Sequence, residues 1–334
     1  MFVELRLTRP FFRLVPVLKT PIAYIIFNRP RHTRETFEMI RAQQPSHLLI
    51  IADGPRPGHP TDAERCAETR AIVEQIDWPC HVQRNYADQN MGCKVRVSSG
   101  LDWVFEQVER AIVLEDDCLP NQDFFLFCDE LLERYAKDER VWVVTGNNFQ
   151  QGKRRGDAAY YFSKYNHCWG WATWRRAWQH YRVDIPFWPA WRSTKDWRTK
   201  TLDHVERKVW GDILDRIKRN EIDTWDYQWT ACAWFYGGLT ATPNVNLVTN
   251  IGFGPDATHT VSASDQVGLA TLSLGELTHP HTVEQNRDAD FVILNQNFGG
   301  LDHPDRWRSR LRWRRDQILR APQWLMKKIK AIWS

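Results

Sequence analysis

Residues Arg110–Phe125, RAIVLEDDCLPNQDFF, decide how the rest of the chain is read. Four apolar residues, Ala111 to Leu114, run without alternation into Glu115, Asp116 and Asp117, and a Pro-Asn helix opening follows. A continuous apolar run between breakers predicts a strand buried on both faces, with its carboxylates emerging at the carboxyl end. In an open parallel sheet that end is where ligands bind, and adjacent carboxylates there suit a hard divalent cation. A solvated acidic turn leading into a helix is the plain structural alternative for the same triplet.

The flanking sequence repeats this strand-then-breaker pattern. Pro21–Phe27 and His47–Ala52 are short apolar runs that stop at Asn28-Arg29-Pro30 and Asp53-Gly54-Pro55, and a weaker strand is expected at Cys80–Arg84. Helical spacing falls between them, at Thr33–Gln43, Thr61–Gln75 and Lys94–Val108, and Thr61 with Glu64 has the form of a capping box. Beyond the acids a helix is expected over Asn121–Tyr135 and a strand over Arg140–Thr145. Strands alternating with helices argue for a mostly parallel sheet covered by helices, an α/β fold.

After residue 150 the composition turns rich in Trp, Tyr and Arg. The pattern there predicts a short strand at Tyr160–Ser163, helices at Thr173–Tyr181, Asp203–Arg219 and Trp225–Tyr236, one loose strand over Leu239–Thr249, and loops with a flap from Gly252 to Asp302. Four parts are expected: an N-terminal extension at 1–19, a nucleotide-binding half at 20–150, a catalytic and acceptor half at 151–302, and a tail at 303–334.

Composition narrows the class. The 334 residues, 43% hydrophobic and 26% charged, describe a globular chain. Eighteen Trp exceed ordinary usage and offer flat apolar faces for sugars, or simply a large aromatic core. Seven Cys at uneven spacings, without a CxxC pair, indicate neither a zinc site nor a disulfide framework, and fit a reducing cytoplasm. The first 20 residues are interrupted by charge and do not read as a signal peptide, and no apolar run is long enough to span a membrane. Residues 305–334 hold ten Lys or Arg and two Asp, a surplus of eight against a whole-chain charge of +4, so the remainder stands at −4. With apolar residues recurring at three and four, the tail has the pattern of an amphipathic helix on an anionic membrane surface. Docking on a protein partner or on the chain's own core, and nucleic-acid binding, are the other readings of that pattern, and no nucleic acid is expected as a partner.

PIAYIIFNRP, LLIIADGPR, AIVLEDDCLPNQDFF and VWVVTGNN together resemble the nucleotide-sugar half of GT-A fold glycosyltransferases, the EDD triplet standing where that class carries its DXD motif. Within the class the run of acids, Pro and Asp-Phe-Phe is similar to N-acetylglucosaminyltransferase I, and the chain also resembles bacterial GT-A proteins. The resemblance covers residues 20–150 well and is patchy to about 260. It implies a metal-dependent, inverting transfer of a sugar from a nucleotide-diphosphate donor to a glycan or lipid-linked glycan hydroxyl. It implies Mn²⁺ or Mg²⁺ on Asp117, with His259 as a further metal or diphosphate ligand. Glu115 and Asp116 would hold ribose or sugar hydroxyls, Asp53 the base, and Arg29 and Lys94 the ribose or phosphates. Asn147 would touch donor or acceptor, and Trp169 and Trp171 would form the acceptor platform. Asp226, following a Trp at a helix start, would be the general base, with Asp223 its substitute. Two rival functions share the scaffold. A sugar-nucleotide pyrophosphorylase would want a Gly-rich phosphate loop after the first strand, where this chain reads NRPRHTRE; a non-catalytic nucleotide- or glycan-binding protein would carry the same acids.

Overall fold

A computed structural model describes residues 18–252, 268–300 and 303. The expected tail, His259, Phe253-Gly254 and nearly all of the N-terminal extension lie outside the described residues. In chain order the elements are β1 (Ile22–Ile26), α1 (Pro30–Gln43), β2 (His47–Ala52), α2 (Asp62–Val73), β3 (His81–Tyr86), α3 (Cys93–Gln107), β4 (Arg110–Glu115), β5 (Cys118–Pro120), α4 (Gln122–Arg134), β6 (Val141–Thr145), β7 (Tyr160–Ser163) and β8 (Trp171–Trp174). They continue with α5 (Arg175–Trp178), α6 (Trp188–Trp191), α7 (Lys195–Lys200), α8 (His204–Lys218), α9 (Asp226–Tyr236), β9 (Leu239–Pro243), β10 (Val248–Asn250) and α10 (Arg287–Asn297).

Eight strands form one sheet in the order β3-β2-β1-β4-β8-β6-β9-β7. The pairings β3 to β2, β2 to β1, β1 to β4 and β6 to β9 are parallel, while β8 and β7 run against their neighbours. The molecule is therefore an α/β protein with a large, mostly parallel central sheet. Helices lie on both faces. Ile22, Tyr24, Ile112 and Leu114 pack with Phe37 of α1, Ile72 of α2 and Phe127 of α4, whereas Ala23, Ile25, Ala111 and Val113 pack with Leu101 and Val104 of α3 and Trp229 of α9. Alternate residues of β4 thus enter opposite cores, which is why Ala111 to Leu114 are all apolar. Each such buried aliphatic side chain contributes about 1.5–3 kcal/mol.

Local chemistry sets several boundaries. Pro30 occupies the first turn of α1, where its missing N–H costs nothing. Asn121 caps α4 by accepting from the Phe124 N–H at 3.1 Å, an interaction worth about 1 kcal/mol. Asp203 caps α8 through the N–H groups of Val205 and Glu206.

The structure departs from expectation at four places. The Thr61 capping box does not form: Thr61 already has helical backbone angles and its side chain makes no cap bond. The adjacent Asp62 is instead taken by Arg56 and Asn28. The helix expected at Thr173–Tyr181 shrinks to α5, because Trp171–Trp174 is drawn into the sheet between β4 and β6. The single strand expected at Leu239–Thr249 is two, β9 and β10, divided after Pro243, and β10 pairs with the unanticipated β5 in a small antiparallel ribbon. Lastly, the loop expected after Gly252 contains α10, capped by Asn286 on the Ala289 N–H.

A third core holds Trp188, Trp191, Trp197, Trp210 and Trp234 among α6 to α10. Beside it a buried polar group joins three elements: Lys164 donates to Glu206 at 2.6 Å and to the Lys200 carbonyl at 2.8 Å, and its ammonium lies 3.9 Å from the Trp234 ring centre.

Gly100 marks where α3 presses on β2, since a Cβ there would lie 2.6 Å from Cγ2 of the buried Ile51. Ala is ordinarily the better helix residue by about 1 kcal/mol, but overpacking a core costs about 1–3 kcal/mol. Gly100→Ala is expected to lower stability by about 1 kcal/mol, read as a lower urea midpoint at unchanged slope.

Candidate active site

β1 and β4 are neighbours, but the chain leaves β1 toward β2 on one side and reaches β4 on the other after crossing from β3. This is the topological switch point of the sheet, where the carboxyl ends of two adjacent parallel strands open a crevice. Register places Ile25 of β1 level with Glu115 of β4. Arg29, three residues past the end of β1, turns back across the crevice to the acids past β4. Its guanidinium donates to both oxygens of Asp116 and, through Nη1, to Oδ2 of Asp117 at 2.8 Å.

The turn carrying the acids is held from below and behind. The Thr36 hydroxyl of α1 donates to the carbonyl of Asp116 at 2.9 Å, and the Ile251 N–H donates to that of Asp117 at 2.9 Å. Gly252 lies directly against Asp117, where a Cβ would stand 2.0 Å from Oδ2. His32 reaches the Ile251 carbonyl at 3.1 Å, so the first turn of α1 and the exit of β10 close around the acids.

Three carboxylates and one arginine do not balance. Burial pushes Glu115 up to about 8, and the charges of Asp117 and Asp116 push in the same direction, with Arg29 opposing. Asp116, 2% exposed, is also raised, burial outweighing the pull of Arg29. Arg29 is raised, the two aspartates outweighing its own burial. Asp226, the first residue of α9, adds to the negative field felt by Glu115, by Cys93 at the start of α3 and by Cys168. Its carboxylate accepts from the Thr224 hydroxyl, and the Gln228 side chain fixes the Thr224 carbonyl at 2.6 Å. The tertiary fold thus brings Asp226 to the same locality as a triplet more than 100 residues earlier. Asp223 stands nearby, its Oδ2 3.6 Å from where a Gly92 Cβ would lie.

Other residues singled out in the sequence stand differently. Asp53, buried after β2, accepts from the N–H groups of Gly54 and Met91 at 2.8 and 2.9 Å and from Asn90 at 2.9 Å. Its carboxylate ties down the loop before α3, and burial raises it. Lys94 donates to Asn220 at 3.4 Å near the start of α3. Asn147 is 1% exposed, its side-chain amide donating to the Val248 carbonyl at 3.3 Å and accepting from the Trp169 N–H at 3.2 Å. Trp169 is half-buried against Phe149. Trp171, expected on an acceptor platform, is a correction: at 1% exposure it stacks on Trp225 at 5.5 Å inside the core behind α9, and no ring face is open to a sugar. Nothing in the local sequence of Thr36, Cys93 or Cys168 links them to the acid triplet, whereas Thr224 lies two residues before the acid it holds.

An oxygen-rich, over-acidic locality suits a hard divalent cation. Among the described residues no three His, Cys, Asp or Glu side chains converge as a ready metal cage. Both oxygens of Asp116 and Oδ2 of Asp117 face Arg29, so a cation bound here would share these carboxylates with the arginine.

No family model matches the chain, and no curated protein matches it in sequence. Among solved structures it is similar to a cytidylyltransferase from Leptospira borgpetersenii serovar Hardjo-bovis, at 11% identity over 48% of this chain and 63% of that one, with a TM-score of 0.30. It is similar to 4-diphosphocytidyl-2C-methyl-D-erythritol synthase from Anaerococcus prevotii, at 11% identity over 58% and 84% of the two chains, TM-score 0.29. A mannosyltransferase from Pyrobaculum calidifontis, in complex with GDP-Man and Mn²⁺, gives 14% identity over 65% and 70%, TM-score 0.32. These three are nucleotidyl- and glycosyltransferases, and each likeness is weak.

Replacing Arg29 by Met would leave Asp116 and Asp117 buried beside Glu115 with no cation. Removing one partner of such a pair costs about 3 kcal/mol. Glu115 and Asp116 are already raised, and without Arg29 they lose the charge that opposes the rise, so protonation favours the folded state. Arg29→Met is therefore expected to lose about 3 kcal/mol at pH 7 and less at pH 5, measured by urea denaturation at both.

Proposed function

We propose that the chain is a metal-dependent, inverting glycosyltransferase of the GT-A type that moves a sugar from a nucleotide-diphosphate donor to a hydroxyl of a glycan or lipid-linked glycan. The observation that carries this reading is the meeting, at the switch point of a mostly parallel sheet, of Arg29 after β1, the acids after β4 and Asp226 at the start of α9.

On this reading Asp117 holds Mn²⁺ or Mg²⁺, with Asp116 and Glu115 beside it, and the rest of the metal's shell comes from the ligand and water. When bound, the cation neutralises charge that grows on the departing diphosphate. Arg29 supplies a second positive charge at the same end of the crevice and keeps Asp116 and Asp117 in place. Asp226 takes the proton of the acceptor hydroxyl as its oxygen bonds to the sugar carbon and the bond to the diphosphate breaks on the opposite face. Thr224 orients the Asp226 carboxylate for that role. Glu115, at the end of β4 beside these groups, is placed to hold a ribose or sugar hydroxyl.

The turn after β1 also weighs against a nucleotidyl-transferring reading. It carries no glycine, and α1 begins at Pro30 immediately after Arg29. That leaves no glycine loop of the kind that wraps a triphosphate.

Calorimetric titration with UDP, GDP, CDP and dTDP, with and without Mn²⁺, tests the donor site. One nucleotide is expected to bind tightly only with metal, and Asp117→Ala to abolish that binding; no binding under either condition would end the reading. Asp226→Asn tests catalysis: turnover is expected to fall by about 10²–10⁴ while donor binding is kept. Unchanged turnover would remove Asp226 from the mechanism.

A further inference from the structure

Three strands away from β4 and its acids, the loop leaving β3 and the first turns of α3 line an open cavity of about 610 Å³, a size usual for small-molecule sites. Its lining includes Asn85, Tyr86, Asp88, Gln89, Arg96 and Ser99. Arg96 is 4% exposed. Its Nη2 donates to the backbone and side-chain oxygens of Asn85 at 2.5 and 2.8 Å, while Nε has no partner.

Arg70 of α2 stands close enough to oppose the charge of Arg96. It donates only to the carbonyls of Asp53 and Ala87, at 3.0 and 2.7 Å, its Nε is also without a partner, and its guanidinium lies 4.9 Å from the Tyr86 ring centre. Among the described residues no carboxylate forms an ion pair with either arginine. The acid that Arg96 feels, Asp53, already receives three N–H donors of its own. Arg96 is thus a buried guanidinium set against neutral carbonyls with a second, half-buried guanidinium beside it, poorly compensated charge of a kind that proteins seldom keep without an anion.

We propose that this cavity binds the phosphate group of a small phosphorylated molecule, paired with Arg96 in the field of Arg70, with the Tyr86 ring as a wall for the rest of the ligand. A phosphate dianion, with three acceptor oxygens, answers two neighbouring guanidiniums better than a carboxylate does. The site is separate from the acid triplet: β3 lies two strand spacings, about 10 Å, from β1 and farther from β4. The inference goes beyond the transfer reaction proposed above and does not depend on it.

The test is calorimetric titration of the full chain with ribose 5-phosphate, and with ribose as control, in the absence of divalent metal. Ribose 5-phosphate is expected to bind and ribose not to. Arg96→Gln is expected to weaken binding at least tenfold. Gln89→Glu, an exposed change on the cavity wall that leaves the buried guanidinium untouched, is expected to weaken it as well, and Asp88→Asn to tighten it. Asp117→Ala is expected to leave it unchanged. The proposal is overturned if the wild type does not bind, if Gln89→Glu and folded Arg96→Gln bind as the wild type does, or if Asp117→Ala abolishes binding, which would put the phosphate at the triplet.

Discussion

The pairing of Arg29 with Asp116 and Asp117 ties the site to the sheet beneath it. Carboxylates brought together at a buried strand end repel one another and lose solvation, and the arginine compensates for part of that cost. Much of the surrounding architecture serves to present this arginine. β1 must lie beside β4, α1 must begin directly at Pro30 so that Arg29 turns back over the crevice, and Thr36 must pin the turn from below. What the arginine leaves uncompensated is expressed in Glu115, which burial, together with the charges of Asp117 and Asp116, raises to about 8.

The second half of the chain does not form a sheet of its own. β6 to β9 extend the sheet begun by β1 to β4, so the acids sit inside one continuous structure and not between two. The tryptophans serve that extension. Trp188 donates to Asp215 at 2.8 Å, Trp191 to Asp196 at 2.7 Å, and Trp234 to the Lys164 carbonyl at 2.7 Å. Indole supplies large apolar area together with one donor that can tie a short helix to its neighbour. This explains a Trp-rich region in which α6 and α7 are too short to be stable alone. The abundance that suggests sugar stacking in sequence is mostly spent on packing, Trp171 being the clearest instance.

Some positions named from sequence prove to be scaffolding for others. Asp53 accepts from the Gly54 N–H of its own turn and from Asn90 and Met91 of the loop that leads into α3, and so shapes both the approach to that helix and the cavity beyond it. Asn147 fixes the segment around Trp169 to β10. Both are polar, buried and satisfied, which is the condition for keeping a polar group inside a protein.

The sequence by itself determined the alternation of strand and helix through β6, the double burial of Ala111–Leu114 and the emergence of three acids at the end of β4, because hydrophobic periodicity and breakers are local signals. His47–Ala52 is β2 to the residue, and Asn121 caps α4 where the Pro-Asn pair announces a helix opening. Only the tertiary structure decided that Trp171–Trp174 is a strand, since its place between β4 and β6 outweighs any preference of WATWRRAW for a helix. It also decided that β5 and β10 pair across more than 120 residues. The partner of Arg29, the nearness of Asp226 to Glu115 and, among the described residues, the lack of an ion pair at Arg96 are likewise tertiary facts. They depend on which strand ends and helix starts meet at one edge of a sheet, and strand order leaves no mark on local sequence.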